Sequence, residues 1–240
     1  QFEERYPAEL SGGQQQRGAI ARTLAPNPKV LFMDEPLSNL DAKLRMEMRT
    51  ELKRLHKTTD ATFVYVTHDQ LEAMTLSTKV CIMDKGLLQQ YAPPLEMYFN
   101  PANLFVADFM GNPTMNFLRG TAQIEGNKAT LSLPPYRLAY QAEAPIGMES
   151  GPVILGIRPE DILLHPEGGQ TARVYSTLPS GMETTIRLEK EDTFLTSVMF
   201  GGVDFPADSE IAFDFSGQHV LLFNPETGEK MATGRAENLS

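Results

Sequence analysis

An α/β segment followed by a small antiparallel β domain is the architecture these 240 residues predict, and three observations predict it. Brief apolar runs alternate with helix-length amphipathic stretches as far as about residue 110. Short alternating runs separated by Gly, Pro, Asn and Asp replace them afterwards. The charge changes at the same place: 12 Lys and Arg stand against 14 Asp and Glu through Met110, a net of −2, and 9 against 17 beyond it, a net of −8. A boundary near Gly111-Asn112-Pro113 then gives domains 1–110 and 111–240.

In the first segment, Ser11 can cap a helix from Gly12 to about Ala25, where Pro26 and Pro28 stop it. Lys29 to Met33 is a short apolar run ending in Asp34-Glu35-Pro36, and burial on both faces suits it to a central parallel strand. Asp41 then caps a helix whose Leu44, Met48, Leu52 and Leu55 share one face, with Arg45, Arg49 and Lys53 pointing elsewhere. Thr62 to Val66 is a second β-rich run ending at Thr67-His68-Asp69. Lys79 to Met83 and Leu87 to Gln90 form a hairpin around Asp84-Lys85-Gly86. Strand, helix, strand, helix implies a parallel α/β sheet. Beyond the boundary, strands are expected at 153–157, 162–164, 184–188, 194–200, 211–215 and 220–223, in a barrel-like antiparallel domain.

Composition narrows the function classes. No apolar stretch approaches the roughly 20 residues a membrane-crossing helix needs. A net charge of −10 lacks the basic surplus of a phosphate-backbone binder, so no nucleic-acid partner is expected. The lone cysteine, Cys81, reads as a small hydrophobe in a buried strand of a protein from a reducing compartment. The chain opens on Gln1 already close to a motif, without a signal peptide before it, and a preceding portion is expected.

Three constellations carry chemistry. Leu10-Ser11-Gly12-Gly13-Gln14 places a hydroxyl and two glycines where a helix begins, so unpaired N–H groups and the positive end of the helix dipole face any anion there. Taken alone, it reads rather as a capped helix with a flexible entry, since such tripeptides are common. Asp34 and Glu35 are adjacent carboxylates at the C-terminal end of a sheet strand, where open α/β sheets bind ligands. Asp34 could hold Mg²⁺ through an ordered water while Glu35 orients or deprotonates the water attacking a γ-phosphate; the plain alternative is a solvated strand end. His68, at the end of the next strand, is a hydrogen-bond donor for that phosphate or a structural histidine.

Order and spacing join the three. Leu10 to Gln14, Asp34-Glu35, Ser38-Asn39-Leu40-Asp41 and then His68 together resemble the second half of an ABC-transporter ATPase, a P-loop fold. The resemblance makes Leu10, Ser11, Gly12, Gly13 and Gln14 the signature motif and Val30 to Asp34 the Walker B strand. Glu35 becomes the catalytic carboxylate, Ser38 to Asp41 the D-loop, with Asn39 where alanine is more usual, and His68 the switch histidine. Leu88 to Tyr98, Pro101 to Ala107, Gly111 to Asn116, Leu155 to Asp161 and Leu222 to Gly228 are similar to importer ATPases of the maltose and multiple-sugar type. Their final domain is an OB-like (TOBE) fold that aids dimerisation and can receive regulators.

That family implies ATP and Mg²⁺ as cofactors and a homodimer, or a paired ATPase subunit, in which the signature residues and Asp41 reach the partner's ATP. It also implies transmembrane permease subunits, an extracytoplasmic solute-binding protein acting indirectly, and a peripheral position on the cytoplasmic face of the membrane. These residues contain no Gly-x-x-x-x-Gly-Lys-Ser/Thr, so the 240-residue chain by itself is expected to be inactive. A non-catalytic regulatory or dimerisation fragment is the alternative. A DNA-repair or chromosome-maintenance ATPase is disfavoured by the lack of sustained heptads and of zinc-binding cysteines.

Overall fold

The computed structural model describes residues 6–239, which divide between Val80 and Cys81 into two compact units. In the first unit, helix α1 (Gly12–Leu24) leads to strand β1 (Val30–Asp34), helix α2 (Ala42–Thr58), strand β2 (Thr62–Val66) and helix α3 (Gln70–Leu76). β1 and β2 pair in parallel, Val30 opposite Thr62 through Asp34 opposite Val66, as the strand-helix-strand order requires. Their covered face packs Leu31 and Met33 with Ile20, Leu37, Leu40, Met48 and Leu52. The expected stripe of α2 is therefore the core face, with Met48 and Leu52 fully buried and Leu44 and Leu55 packed at its margin.

One expectation fails here. β1 alternates between buried and exposed positions instead of being buried on both sides. Phe32 is 76% exposed, beside exposed Val30, Val64 and Val66, because among the described residues no element covers that face of the two-stranded sheet. Cys81 is a second correction. It lies on the open side of strand β3 (Val80–Asp84), which pairs with β4 (Leu87–Ala92) in another two-stranded sheet, and its thiol is exposed.

Within the second unit, two short helices follow, α4 (Pro94–Phe99) and α5 (Leu104–Phe109). Strands β5 (Asn116–Glu125), β6 (Lys128–Leu133), β7 (Tyr136–Ala142), β8 (Gly151–Ile157), β14 (Val220–Phe223) and β15 (Lys230–Asn238) close a barrel in the order β14-β15-β7-β6-β5-β8. Between β8 and β14 the chain inserts β9 (Ile162–Leu164), β10 (Gln170–Pro179), β11 (Glu183–Lys190), β12 (Thr193–Phe200) and β13 (Glu210–Phe215), a sheet ordered β12-β11-β10-β13-β9.

Barrel and inserted sheet share one core. Leu131, Leu133, Leu138 and Leu155 from the barrel meet Val174, Ile186, Leu188 and Phe213 from the sheet, and the Tyr136 ring stands edge-on to Phe215 at 5.1 Å. Gly120 is required where β5 approaches β6, since a Cβ there would lie 2.0 Å from the Ser132 carbonyl oxygen. The Asn116 side chain joins the two sheets: its Nδ2 donates to the Thr196 carbonyl at 2.8 Å and its Oδ1 accepts the Thr196 N–H at 2.7 Å.

A buried arginine fastens the helices of this unit to the barrel. Arg158 is 2% exposed; Nη2 donates to the Tyr98 carbonyl at 2.7 Å, and Nη1 to the carbonyls of Ala107 (3.3 Å) and Met110. Its guanidinium lies 4.0 Å over the Tyr98 ring, whose hydroxyl donates to Glu160 at 2.7 Å. Burial lowers the guanidinium pKa, opposed by Tyr98, Glu160 and Asp161. Asp161 itself is pushed up to about 6, chiefly by burial and then by Glu160.

Candidate functional site

The candidate site lies within the first unit, where the ends of both parallel strands meet the turns that follow. β1 ends at Asp34, an exposed carboxylate, and Glu35 leaves the strand with a φ of 42°. This left-handed turn is held by two bonds. The Glu35 N–H donates to the Val66 carbonyl at 2.9 Å, and the Glu35 carbonyl accepts from the Ser38 hydroxyl, also at 2.9 Å. The Glu35 side chain is thereby carried across to the end of β2, where its Oε1 is 3.3 Å from Nδ1 of His68. Both side chains are open to solvent.

The two strand ends are braced from below. Tyr65 and Thr67 both donate their hydroxyls to Oε2 of Glu72 at 2.8 Å, and Glu72 is buried. Burial, together with the bond to this carboxylate, raises the Tyr65 pKa well above its usual range, so the phenol stays a donor. The Thr67 Oγ1 accepts the Asp69 N–H at 2.9 Å, and Asp69 caps α3 by accepting the Glu72 N–H at 3.1 Å. Together Glu35, Ser38, Arg45, Thr67, His68, Asp69 and Glu72 line one open polar cleft.

The remaining expected residues sit nearby in the chain but outside that lining. Asp41 is the N-cap of α2, its Oδ1 accepting the Leu44 N–H at 3.0 Å. Ser11 is the N-cap of α1, and its N–H donates to Oε1 of Gln14 at 3.0 Å, the return half of a capping box. Gly13 is buried against α2: a Cβ would fall 2.6 Å from the Leu44 methyls, whereas one on Gly12 would meet Leu40 at 3.8 Å. Gly13 thus sets how closely the Leu10–Gln14 turn approaches the segment after Asp41.

Sequence reasoning missed the bracing set, namely Tyr65, Thr67, Asp69 and Glu72, together with Arg45. The signal was partial, since Thr67 and Asp69 flank His68, but the closure onto Glu72 depends on α3 folding back. As for a metal, no group of three or more His, Cys, Asp and Glu poised to hold an ion occurs among the described residues. A lone carboxylate such as Asp34 fits Mg²⁺ only as an outer partner, with water and phosphate oxygens supplying the inner ligands.

Comparison with known proteins gives two family matches: the ABC transporter family over residues 1–38 and the MalK OB fold domain over residues 111–162. A sn-glycerol-3-phosphate import ATP-binding protein of Ruegeria pomeroyi is 42% identical over 95% of this chain and 64% of its own length. A xylose/arabinose import ATP-binding protein of Haloferax volcanii is 42% identical over 95% of this chain and 61% of its own. An uncharacterised ABC transporter ATP-binding protein of Bacillus subtilis is 39% identical over 94% and 64%. The chain thus spans under two thirds of the length of these relatives.

Proposed function

From a chain that combines an ABC-transporter ATPase segment with a MalK-type OB-fold domain, we propose that this is the later part of the ATP-binding, ATP-hydrolysing subunit that powers a solute importer. The solute class is a sugar or a related polyol, by likeness to the import proteins of Ruegeria and Haloferax. The observation that carries the reading is the meeting of Glu35 and His68, 3.3 Å apart at neighbouring strand ends. A carboxylate there can orient and deprotonate a water, while the imidazole contacts the γ-phosphate.

Asp34, one residue before Glu35, would hold Mg²⁺ as an outer partner, through water. Mg²⁺, when bound, neutralises charge developing on the phosphates. Leu10, Ser11, Gly12, Gly13 and Gln14 offer helix N–H groups to the ATP of a second subunit, and Asp41 approaches the same nucleotide from the adjoining turn. Two nucleotides then hold two subunits together, and their differential affinity for the closed pair drives the attached permease subunits between states. The subunit is peripheral on the cytoplasmic face, and no helix among the described residues is long and apolar enough to cross a membrane. The boundary between ATPase segment and OB-fold domain falls at Gly111, inside the second compact unit, a reading supported by the start of the OB-fold match. Residues 111–240 mediate dimer contacts and receive regulators.

The test is MgATP turnover by the complete subunit, P-loop included, with the 240-residue chain and a Glu35→Gln subunit alongside. Turnover by the complete subunit that falls at least about a hundredfold in Glu35→Gln is expected, with none from the short chain. Equal turnover by Glu35→Gln would overturn the assignment.

A further inference from the structure

Of the cleft's lining side chains that the proposed reaction does not use, one is an arginine. Arg45, in the first turn of α2, stands between the loop that ends at Asp41 and the turn that carries His68. Its Nη2 donates to the Leu40 carbonyl at 3.1 Å, and its Nη1 lies 3.6 Å from Oδ2 of Asp69.

Both anchors are stiff. Leu40 has a buried side chain, and its N–H donates to the Leu37 carbonyl at 3.2 Å. Asp69 is gripped through its N–H by Thr67 and through its other carboxylate oxygen by the first turn of α3. The root of Arg45 is fixed as well, its N–H donating to the Asp41 carbonyl at 2.8 Å.

We propose that Arg45 is a positioning residue that ties the Ser38–Asp41 loop to the His68 turn through Asp69, so that the placement of one sets the placement of the other. The inference rests on the ATPase reading above and deepens it: occupancy of the partner's nucleotide, felt at Asp41, is passed to the histidine that faces Glu35. Stability does not account for the contact. The Arg45 Nε is buried with no hydrogen-bond acceptor, and the ion pair is long and partly solvated, a combination that contributes little to folding. Its loss should therefore appear in turnover.

The experiment uses the complete subunit assembled with its permease subunits. Arg45→Met removes both contacts, and Asp69→Asn keeps the acceptor that caps α3 while removing the charge. Arg45→Met should lower kcat about five- to tenfold with KM for MgATP within about twofold and an unchanged melting temperature. Arg45→Lys should recover part of the loss, and the double variant should be no slower than the slower single one. A wild-type kcat for Arg45→Met, a compensating rise in KM that accounts for the loss, or single effects that multiply in the double variant would overturn the proposal. Glu35→Gln separates the two levels. If it abolishes turnover while Arg45→Met is normal, only the Arg45 link fails; if it turns over normally, the ATPase reading fails with it.

Discussion

Arg158→Met removes the cation that fastens α4 and α5 to the barrel while keeping an unbranched side chain of comparable length. Three carbonyls, those of Tyr98, Ala107 and Met110, lose a charged donor. Each such bond contributes about 1.5–3 kcal/mol. Two terms offset the loss: the guanidinium no longer suffers the burial that lowers its pKa, and the methionine gains about 1–2 kcal/mol of apolar contact. With the bonds taken at the low end of that range, because the cation is buried, the net cost is about 3 kcal/mol, within the range for stranding buried polar partners. Urea unfolding should shift by that amount. Native-state hydrogen exchange should show amides near the end of α5, such as Met110 N–H on the Val106 carbonyl, losing about a hundredfold of protection. Arg158→Lys, with its charge kept and one carbonyl within reach, should fall between. An unchanged urea midpoint and less than about tenfold loss of protection in α5 would refute the reasoning, because burial of the cation would then cancel everything its bonds contribute.

Two further outcomes follow from burial and exposure elsewhere. The Asp161 pKa is raised to about 6 from 3.8, so its contribution to stability is complete below about pH 4 and is lost as pH rises through 6. Asp161→Asn should stabilise the protein by about 1 kcal/mol at pH 7, discounted for the partial exposure of the carboxyl, and flatten the urea midpoint between pH 4 and 6; a variant less stable at pH 7 would count against this. The open apolar face of β1 and β2 should make the 240-residue chain self-associate, and Phe32→Lys with Val64→Thr should return the mass seen by light scattering toward 26.7 kDa, whereas a wild-type chain already monomeric at tens of micromolar would contradict it.

Local signals in the sequence were reliable where local physics decides. Asp41 was readable as a cap because a carboxylate three residues before an N–H can reach it without help from the rest of the fold. The run Val30 to Met33 was readable as a strand, and its parallel pairing followed from the helix between it and β2. Burial was not readable in the same way. Phe32 and Cys81 are apolar in character yet exposed, because what covers a sheet face is decided by other elements. Strands β5, β6, β7, β10 and β15 went unnamed although Tyr136, Leu138 and Tyr140 alternate cleanly. The alternation in β6 and β7 is the period-two signal of a half-buried strand and was available in the sequence, whereas β15, with Ala232, Gly234 and Ala236 at its inward positions, carries little apolar contrast. In the site, Glu35 and His68 were legible through their spacing from other motifs. The Arg45–Asp69 contact joins residues 24 positions apart in the chain, and no periodicity encodes it.

The turn at Glu35 has a consequence for anyone trying to improve the protein. Its φ of 42° is a conformation that glycine enters freely and a carboxylic side chain enters at a cost of about 1 kcal/mol. A library screened for heat resistance alone would therefore drift toward Glu35→Gly and discard the very carboxylate that faces His68. Robustness and usefulness pull in opposite directions at this position, and only a screen that scores turnover alongside survival would keep both.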